Sequence, residues 1–284
     1  MGLNRALLGK VYPEVRYKVE LEAMKAYALA TNEDNPLLVG PGAEMASPMF
    51  AVVWLAEPMM HCLFDGELIA DANIGRMVHG GQDMRFDQVV RAGQTIVTRA
   101  RVAGIEEKST GELLHIALES KTEEGEQVLE ATASFFFRAP PDPERVKAKR
   151  IEETLPDAGL FEGQLRVDSD QTFRYAEASG DRNPIHTDED TARMMGFNGI
   201  IVHGLCTMAL AQKAVIDGAL DGRPERLRRL QVQFAKPVYP GDVLDLRAWS
   251  LPEKGRSLCL GFHVRSEGGQ SVLREALAEY VVEN

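Results

Sequence analysis

The segment Tyr27-Ala28-Leu29-Ala30-Thr31-Asn32-Glu33-Asp34-Asn35-Pro36-Leu37-Leu38 returns later in the chain as Tyr175-Ala176-Glu177-Ala178-Ser179-Gly180-Asp181-Arg182-Asn183-Pro184-Ile185-His186. The spacing is 148 residues throughout. Phe86, Val90, Gly93, Arg99 and Ala100 meet Phe234, Val238, Gly241, Arg247 and Ala248 at the same spacing. Val128-Leu129 matches Val272-Leu273 with a slip of four residues, which a hairpin loop absorbs. One spacing kept over separate blocks marks a tandem duplication, in which each copy repeats one structural unit.

Length agrees with two units, since 284 residues at about 150 per domain give two. Composition marks the join. Ala139-Pro140-Pro141-Asp142-Pro143 ends a strand-like run, and a charged stretch, Glu144 to Glu153, follows. Proline locks φ and removes a donor, so a semi-rigid linker is expected here, with a short solvated helix within 144–153. The expected division is a repeat over 1–138, a linker over 139–160 and a second repeat over 161–284.

Both copies run in the same coarse order. An early strand or helical turn leads to the Asn-Pro turn, because the residue before proline is pushed out of the α region. A helix-like apolar run follows, Phe50 to Phe64 in the first copy and Leu205 to Leu220 in the second. Three long strand candidates then close each copy, at 94–106, 113–122 and 127–138, and at 243–251, 257–266 and 271–282. Turn signals such as Lys108-Ser109-Thr110-Gly111 and Glu267-Gly268-Gly269 separate them, as in an antiparallel meander. One buried helix against a long antiparallel sheet, made twice, is an α+β design.

Charge excludes some functions. Forty-three acidic against 32 basic residues give −11, which repels a phosphate backbone and argues against a nucleic-acid partner. Cys62, Cys206 and Cys259 form neither a zinc pair nor an even disulfide framework, and fit buried thiols in a reducing cytoplasm. The most apolar stretch, Met49 to Phe64, is broken by Glu57-Pro58 and is shorter than a membrane span, so no membrane partner is expected. Glycine-rich phosphate loops are absent, which removes support for nucleotide chemistry.

The copies differ at the duplicated turn. The second puts Asp181 and His186 five residues apart; the first has Glu33 and Leu38 in their places. A turn used only for shape needs no such pair, whereas acid–base work does: histidine titrates near neutrality and a carboxylate orients it or shares the proton. The Asn183-Pro184 step stiffens the loop that carries both groups. One working site per chain, in the second copy, is the expectation.

Asp181-Arg182-Asn183-Pro184-Ile185-His186, Asp188, Gly196-Phe197 and Ile201-Val202-His203-Gly204 together resemble the signature of the MaoC-like, R-specific enoyl-CoA hydratase 2 family. Pro237-Val238-Tyr239-Pro240-Gly241-Asp242 extends the likeness, and two copies with one working signature resemble that group's double hot-dog enzymes. The resemblance implies two long antiparallel sheets, each wrapped around a central helix, closing on each other as an internal pseudo-dimer, alone or paired as a homodimer. It implies reversible syn addition of water to a 2-enoyl thioester of coenzyme A or a carrier protein. Asp181 and His186 map to the catalytic pair and the amide near Gly204 to the oxyanion site, while Asn183 orients the pair or bonds the substrate. No cofactor is implied, since coenzyme A is part of the substrate. Its phosphates need a local basic patch despite the overall charge, and Arg226, Arg228, Arg229 and Lys236, before and inside a strand, supply the candidates.

Simpler readings exist for each residue. Gly-Asp-x-Asn-Pro is a common turn in which Asp and Asn bond their own backbone. His203 suits a helix cap as well as a site, and His79-Gly80-Gly81 suits a structural turn or an acyl-pocket wall. His186, Asp188 and Asp190 match no zinc or calcium spacing, so no metal is expected, and the acids read as the start of a helix. Basic residues on a strand also serve as solvated edge charges. A hot-dog thioesterase and a non-catalytic acyl-thioester binding subunit are the alternative functions.

Overall fold

A computed structural model describes residues 2–140, 156 and 158–282. Most of the expected linker, including its charged stretch, lies outside the described residues.

Ten strands form one antiparallel sheet: β1 (Val15–Lys18), β2 (Met77–Phe86), β3 (Thr95–Lys108), β4 (Gly111–Thr122), β5 (Gln127–Arg138), β6 (Phe161–Arg166), β7 (Leu227–Phe234), β8 (Val243–Lys254), β9 (Ser257–Ser266) and β10 (Ser271–Tyr280). Their order is β1-β3-β4-β5-β2-β7-β10-β9-β8-β6, so the second five mirror the first five across the β2–β7 pair. Asp83 faces Gln231 in that pair, and these positions are themselves 148 residues apart. The duplication is thus a pseudo-twofold axis between β2 and β7.

The helices are α1 (Leu21–Ala30), α2 (Pro36–Val39), α3 (Ala51–Leu63) and α4 (Gly66–Ile69) in the first repeat, and α5 (Gln171–Ser179), α6 (Glu189–Met194) and α7 (Gly204–Ala219) in the second. The strands of each meander alternate. On β3 and β4, Ile96, Thr98, Ala100 and Val102, with Leu114, Ile116 and Leu118, point inward onto the central helix. Trp54 of α3 crosses that core and donates its indole N–H to Ser120, satisfying a donor that burial would otherwise strand. α7 is rich in alanine and leucine and buries Cys206, Met208, Ala209, Leu210, Val215 and Ile216; the left-handed pair Asp221-Gly222 follows its end.

The symmetry reaches single hydrogen bonds. Gly93 (φ +87°) and Gly241 (φ +90°) both take a left-handed turn, and their amides donate to Val19 and Val167, again 148 apart. Ala46 donates to Val90, and Val202 to Val238. At the slip of four, Asp87 donates to Val128 and Ala235 to Val272. At the centre, Tyr27 and Tyr175 face each other with ring centroids 5.6 Å apart. All six expected long strands and both apolar helices are present. β2, which reads MVHGGQDMRF, has no apolar alternation to announce it; it forms a strand because β5 and β7 pair with it on both sides. Among the described residues, no helix is long and apolar enough to cross a membrane.

Candidate active site

Asp181 and His186 lie on the turn between α5 and α6. Gly180 ends α5 in the left-handed region (φ +77°), which aims the chain back across the fold. Asp181 Oδ1 accepts from the amide of Asn183, Asn183 Oδ1 accepts from Ile185, and Pro184 opens a 3-10 turn that ends on His186. The turn chemistry is the platform for the pair and not an alternative to it. Asn183 spends its carboxamide oxygen on that turn and is itself exposed. Asp188 caps α6 through the Thr191 amide, so the acids at 188–190 are a helix start, as their spacing suggested.

His186 is buried, and its Nδ1 donates to the Ile201 carbonyl at 2.8 Å. A carbonyl only accepts, so the proton sits on Nδ1 and the lone pair on Nε2. Burial lowers the pKa of His186 below its ordinary 6.5; the Ile201 carbonyl and the Asp181 charge pull partly the other way. The imidazole is therefore a neutral base at pH 7.

His203 stacks on His186, with ring centroids 3.7 Å apart and planes at 24°. It stands at the N-cap of α7, and its Nε2 donates to the Asp181 carbonyl at 2.9 Å, while the buried Nδ1 has no partner. Burial first, then the neighbouring His186, lower its pKa. The stack thus admits one proton at most near neutrality, and charging one ring opposes charging the other. Of the cap and site roles that suit His203, it occupies the cap position without a side-chain cap bond, and its ring lies against His186. Only its place in Val202-His203-Gly204 hinted at the site role.

Asp181, His186 and His203 each bring a potential ligand atom within 4.8 Å of the others. The two rings are nearly parallel, so their in-plane lone pairs run side by side and do not converge on a common ion. A metal would require one ring to turn out of the stack; a water or substrate oxygen would not.

Gly204 opens α7, where the first amides of a helix have no partner within it and carry its positive end. A β-carbon at Gly204 would come within 3.1 Å of the Phe234 ring, so a side chain there would press on that ring. His79, from β2 of the first repeat, closes the wall. Its ring stacks on Phe135 at 4.6 Å and meets Phe234 edge-on at 5.1 Å. Burial lowers its pKa to about 4, against the smaller upward pull of Gln82 and the Asp181 charge.

The symmetry-related place in the first repeat is built from other residues. Glu33 turns its carboxylate onto the amides of Asp34 and Asn35, and Leu38, where His186 would be, is buried. The matching bonds from Ala46 and Val202 set Ser47-Pro48 opposite His203-Gly204. Proline has no N–H, so the first donor of that helix start is gone. The remaining space is filled by Gln212 of α7, whose carboxamide accepts from Met49 N at 2.8 Å and donates to Ser47 Oγ at 3.0 Å.

The basic candidates scatter. Arg229 is held by both oxygens of Asp83 at 2.8 and 2.7 Å and by Glu279 at 2.9 Å. Arg228 donates to the carbonyls of Glu225 and Leu227. Both lie five or six residues, about 17–20 Å, along β7 from Phe234. Lys236 is exposed two residues beyond Phe234, at the site end of the strand.

Residues 151–257 match a family described as "MaoC like domain", and residues 6–131 match one described as "FAS1-like, dehydratase domain region". The chain is 26% identical over 213 residues to a probable enoyl-CoA hydratase 2 of Dictyostelium discoideum, covering 69% of this chain and 71% of that one. It is 29% identical over 220 residues to the 3-hydroxyacyl-thioester dehydratase Y of Mycobacterium tuberculosis, covering 74% of each. Of the peroxisomal multifunctional enzyme type 2 of Drosophila melanogaster, 26% identical over 222 residues, it spans only 36%. The crystal structure of a MaoC-like dehydratase from Phytophthora capsici superposes with a TM-score of 0.83 over 99% of both chains at 20% identity, a likeness of fold.

Proposed function

We propose that this chain, whose second half matches a MaoC-like domain and whose first half matches a FAS1-like dehydratase region, is an R-specific 2-enoyl-CoA hydratase and 3-hydroxyacyl-thioester dehydratase worked by Asp181 and His186. The observation that carries this reading is the pairing of a neutral, buried His186, its Nδ1 tied to Ile201, with the Asp181 carboxylate beside the start of α7.

Hydration needs a water at C3, a proton at C2 and support for the enolate oxygen of the thioester. Asp181 and His186 Nε2 hold one water between them. As its oxygen bonds C3, its proton passes to the pair, and the protonated member delivers a proton to C2 on the same face. Dehydration runs the same steps in reverse. The Gly204 amide and the positive end of α7 receive the negative charge on the thioester oxygen, and the bare α-carbon allows close approach. Asn183 holds the turn. Coenzyme A, or a carrier's phosphopantetheine, arrives with the substrate, so the steps call for no further cofactor. Lys236 is the best placed of the basic candidates for its phosphates, because Arg229 is ion-paired with Asp83 and Glu279 and Arg228 lies at the far end of β7.

The first repeat is the catalytically degenerate one. Glu33, Leu38 and Pro48 replace the carboxylate, the imidazole and the oxyanion donor, and Gln212 occupies the remaining amide.

The direct test mixes the protein with a short 2-enoyl-CoA and follows the conjugated-enoyl absorbance together with free thiol. Loss of the enoyl band without thiol release is expected. Thiol release would instead make the protein a thioesterase, and binding without either change a non-catalytic subunit.

The pH profile has a defined sign. A base whose pKa lies below 6.5 keeps its lone pair through neutrality and loses it only as pH falls through the lowered value. The acid limb of kcat/KM is therefore expected below pH 6.5 and the profile flat between 6.5 and 7.5. A limb centred at 7 or above would rule out neutral His186 as the base.

A further inference from the structure

The 148-residue symmetry picks out a second asymmetric pair, remote in sequence from the Asp181 turn. His79 and Gln82 on β2 correspond to Leu227 and Leu230 on β7. On the first repeat's side the corresponding pair is apolar: Leu227 and Leu230 are both buried, and Leu227 lines a pocket together with Phe86. In the wall of the working site the matching pair is polar: His79 Nε2 lies 3.2 Å from the Gln82 oxygen, and Gln82 is 4% exposed. Placing a half-buried imidazole and a buried carboxamide where leucines pack costs free energy, and a fold gains nothing from it alone.

The geometry connects that wall to the reacting centre. His79 is clamped by Phe135 and Phe234, and Phe234 is the ring that fills the space beside the bare α-carbon of Gly204. Gly80 is bulged between β2 and β5, which re-aims the strand just where His79 projects.

Resting on the hydratase reading, we propose that His79, held by Gln82, is a positioning residue that the catalytically degenerate repeat contributes to the working site. It sets Phe234 against Gly204 and thereby fixes the helix-start amide that receives the thioester oxygen. It takes no proton from the substrate.

The double variant His79→Leu/Gln82→Leu copies the apolar pair of β7, so it is expected to fold with unchanged thermal stability. Its kcat for a short 2-enoyl-CoA should fall about 10- to 100-fold, the range for loss of aim at one oxyanion donor. KM should stay within about threefold and the shape of the pH profile should not move. A second readout needs no turnover. A 2,4-dienoyl-CoA bound to the Asp181→Asn variant should show a red-shifted absorption band, because a polarised thioester carbonyl draws electron density along the conjugated chain. Adding His79→Leu/Gln82→Leu should remove most of that shift. Unchanged kcat with an unchanged shift would overturn the proposal. So would a raised KM at full kcat, the mark of a mere acyl-pocket wall, or a displaced pH limb, the mark of an acid–base group. Failure of the unmodified protein to hydrate would sink the hydratase reading alone, since the band shift is read on binding.

Discussion

Asp181→Asn and His186→Ala each reduce hydration of a 2-enoyl-CoA by about 10³-fold or more in kcat, close to the full contribution of a positioned acid–base group. Asparagine keeps the shape of Asp181 and can still accept from the Asn183 amide through its carboxamide oxygen, so the turn survives. What it loses is the ability to hold and pass a proton. His186→Ala removes Nε2 and uncovers one face of His203, which remains anchored to the Asp181 carbonyl. The two effects should not add in the double variant, because one water is shared between the groups. Enoyl absorbance measures the rate, and a melting curve confirms the fold. Full activity in Asp181→Asn would remove the site assignment entirely.

Arg229→Met should have the largest effect on stability, a loss of about 3 kcal/mol. The Arg229 side chain is 13% exposed, and its partners Asp83 and Glu279 are 30% and 11% exposed. Arg229 spans the β2–β7 seam, where it binds the first repeat through a two-pronged contact to Asp83 and the second through Glu279. Burial works against the Glu279 charge, yet Lys254 and Arg229 hold its carboxyl below the usual range. Methionine fills the volume and leaves two partly buried carboxylates, one on each side of the seam. Arg229→Lys should recover part of the loss, since an ammonium supplies charge but not the planar fork. Urea denaturation of both variants gives the values, and a change under about 0.5 kcal/mol for methionine would show that the pair is worth no more than a surface contact.

The expectation that Arg229 meets coenzyme A illustrates what a linear reading lacks. Along the chain it is one of four basic residues near a strand. In space its partners come from 146 and 50 residues away, and they take up its charge. His203 was legible as a motif but not as a stacked partner of His186, because ring stacking depends on where the Ile201–His203 segment crosses the turn. His79 suited a structural turn or an acyl-pocket wall, and neither reading pointed to its contact with Phe234. The repeat comparison that exposed Asp181 and His186 applies equally to His79 and Gln82, but it becomes meaningful only once β2 and β7 are known to be the symmetry-related pair.

The duplication, the six long strands, the two apolar helices and the difference between the Glu33/Leu38 and Asp181/His186 turns were written in the amino-acid order. Each follows from short-range chemistry: a fixed spacing, apolar periodicity, proline and glycine at turns, a titratable pair where its copy has none. Convergence was not. Bringing His79, Phe234 and Gly204 into one wall requires strand register across the seam. The first repeat's helix start is filled by the Gln212 carboxamide, contributed by the second repeat's helix. Contacts between residues more than a hundred apart are set by the packing of whole sheets and helices, and no local pattern encodes which side chains that packing will make neighbours.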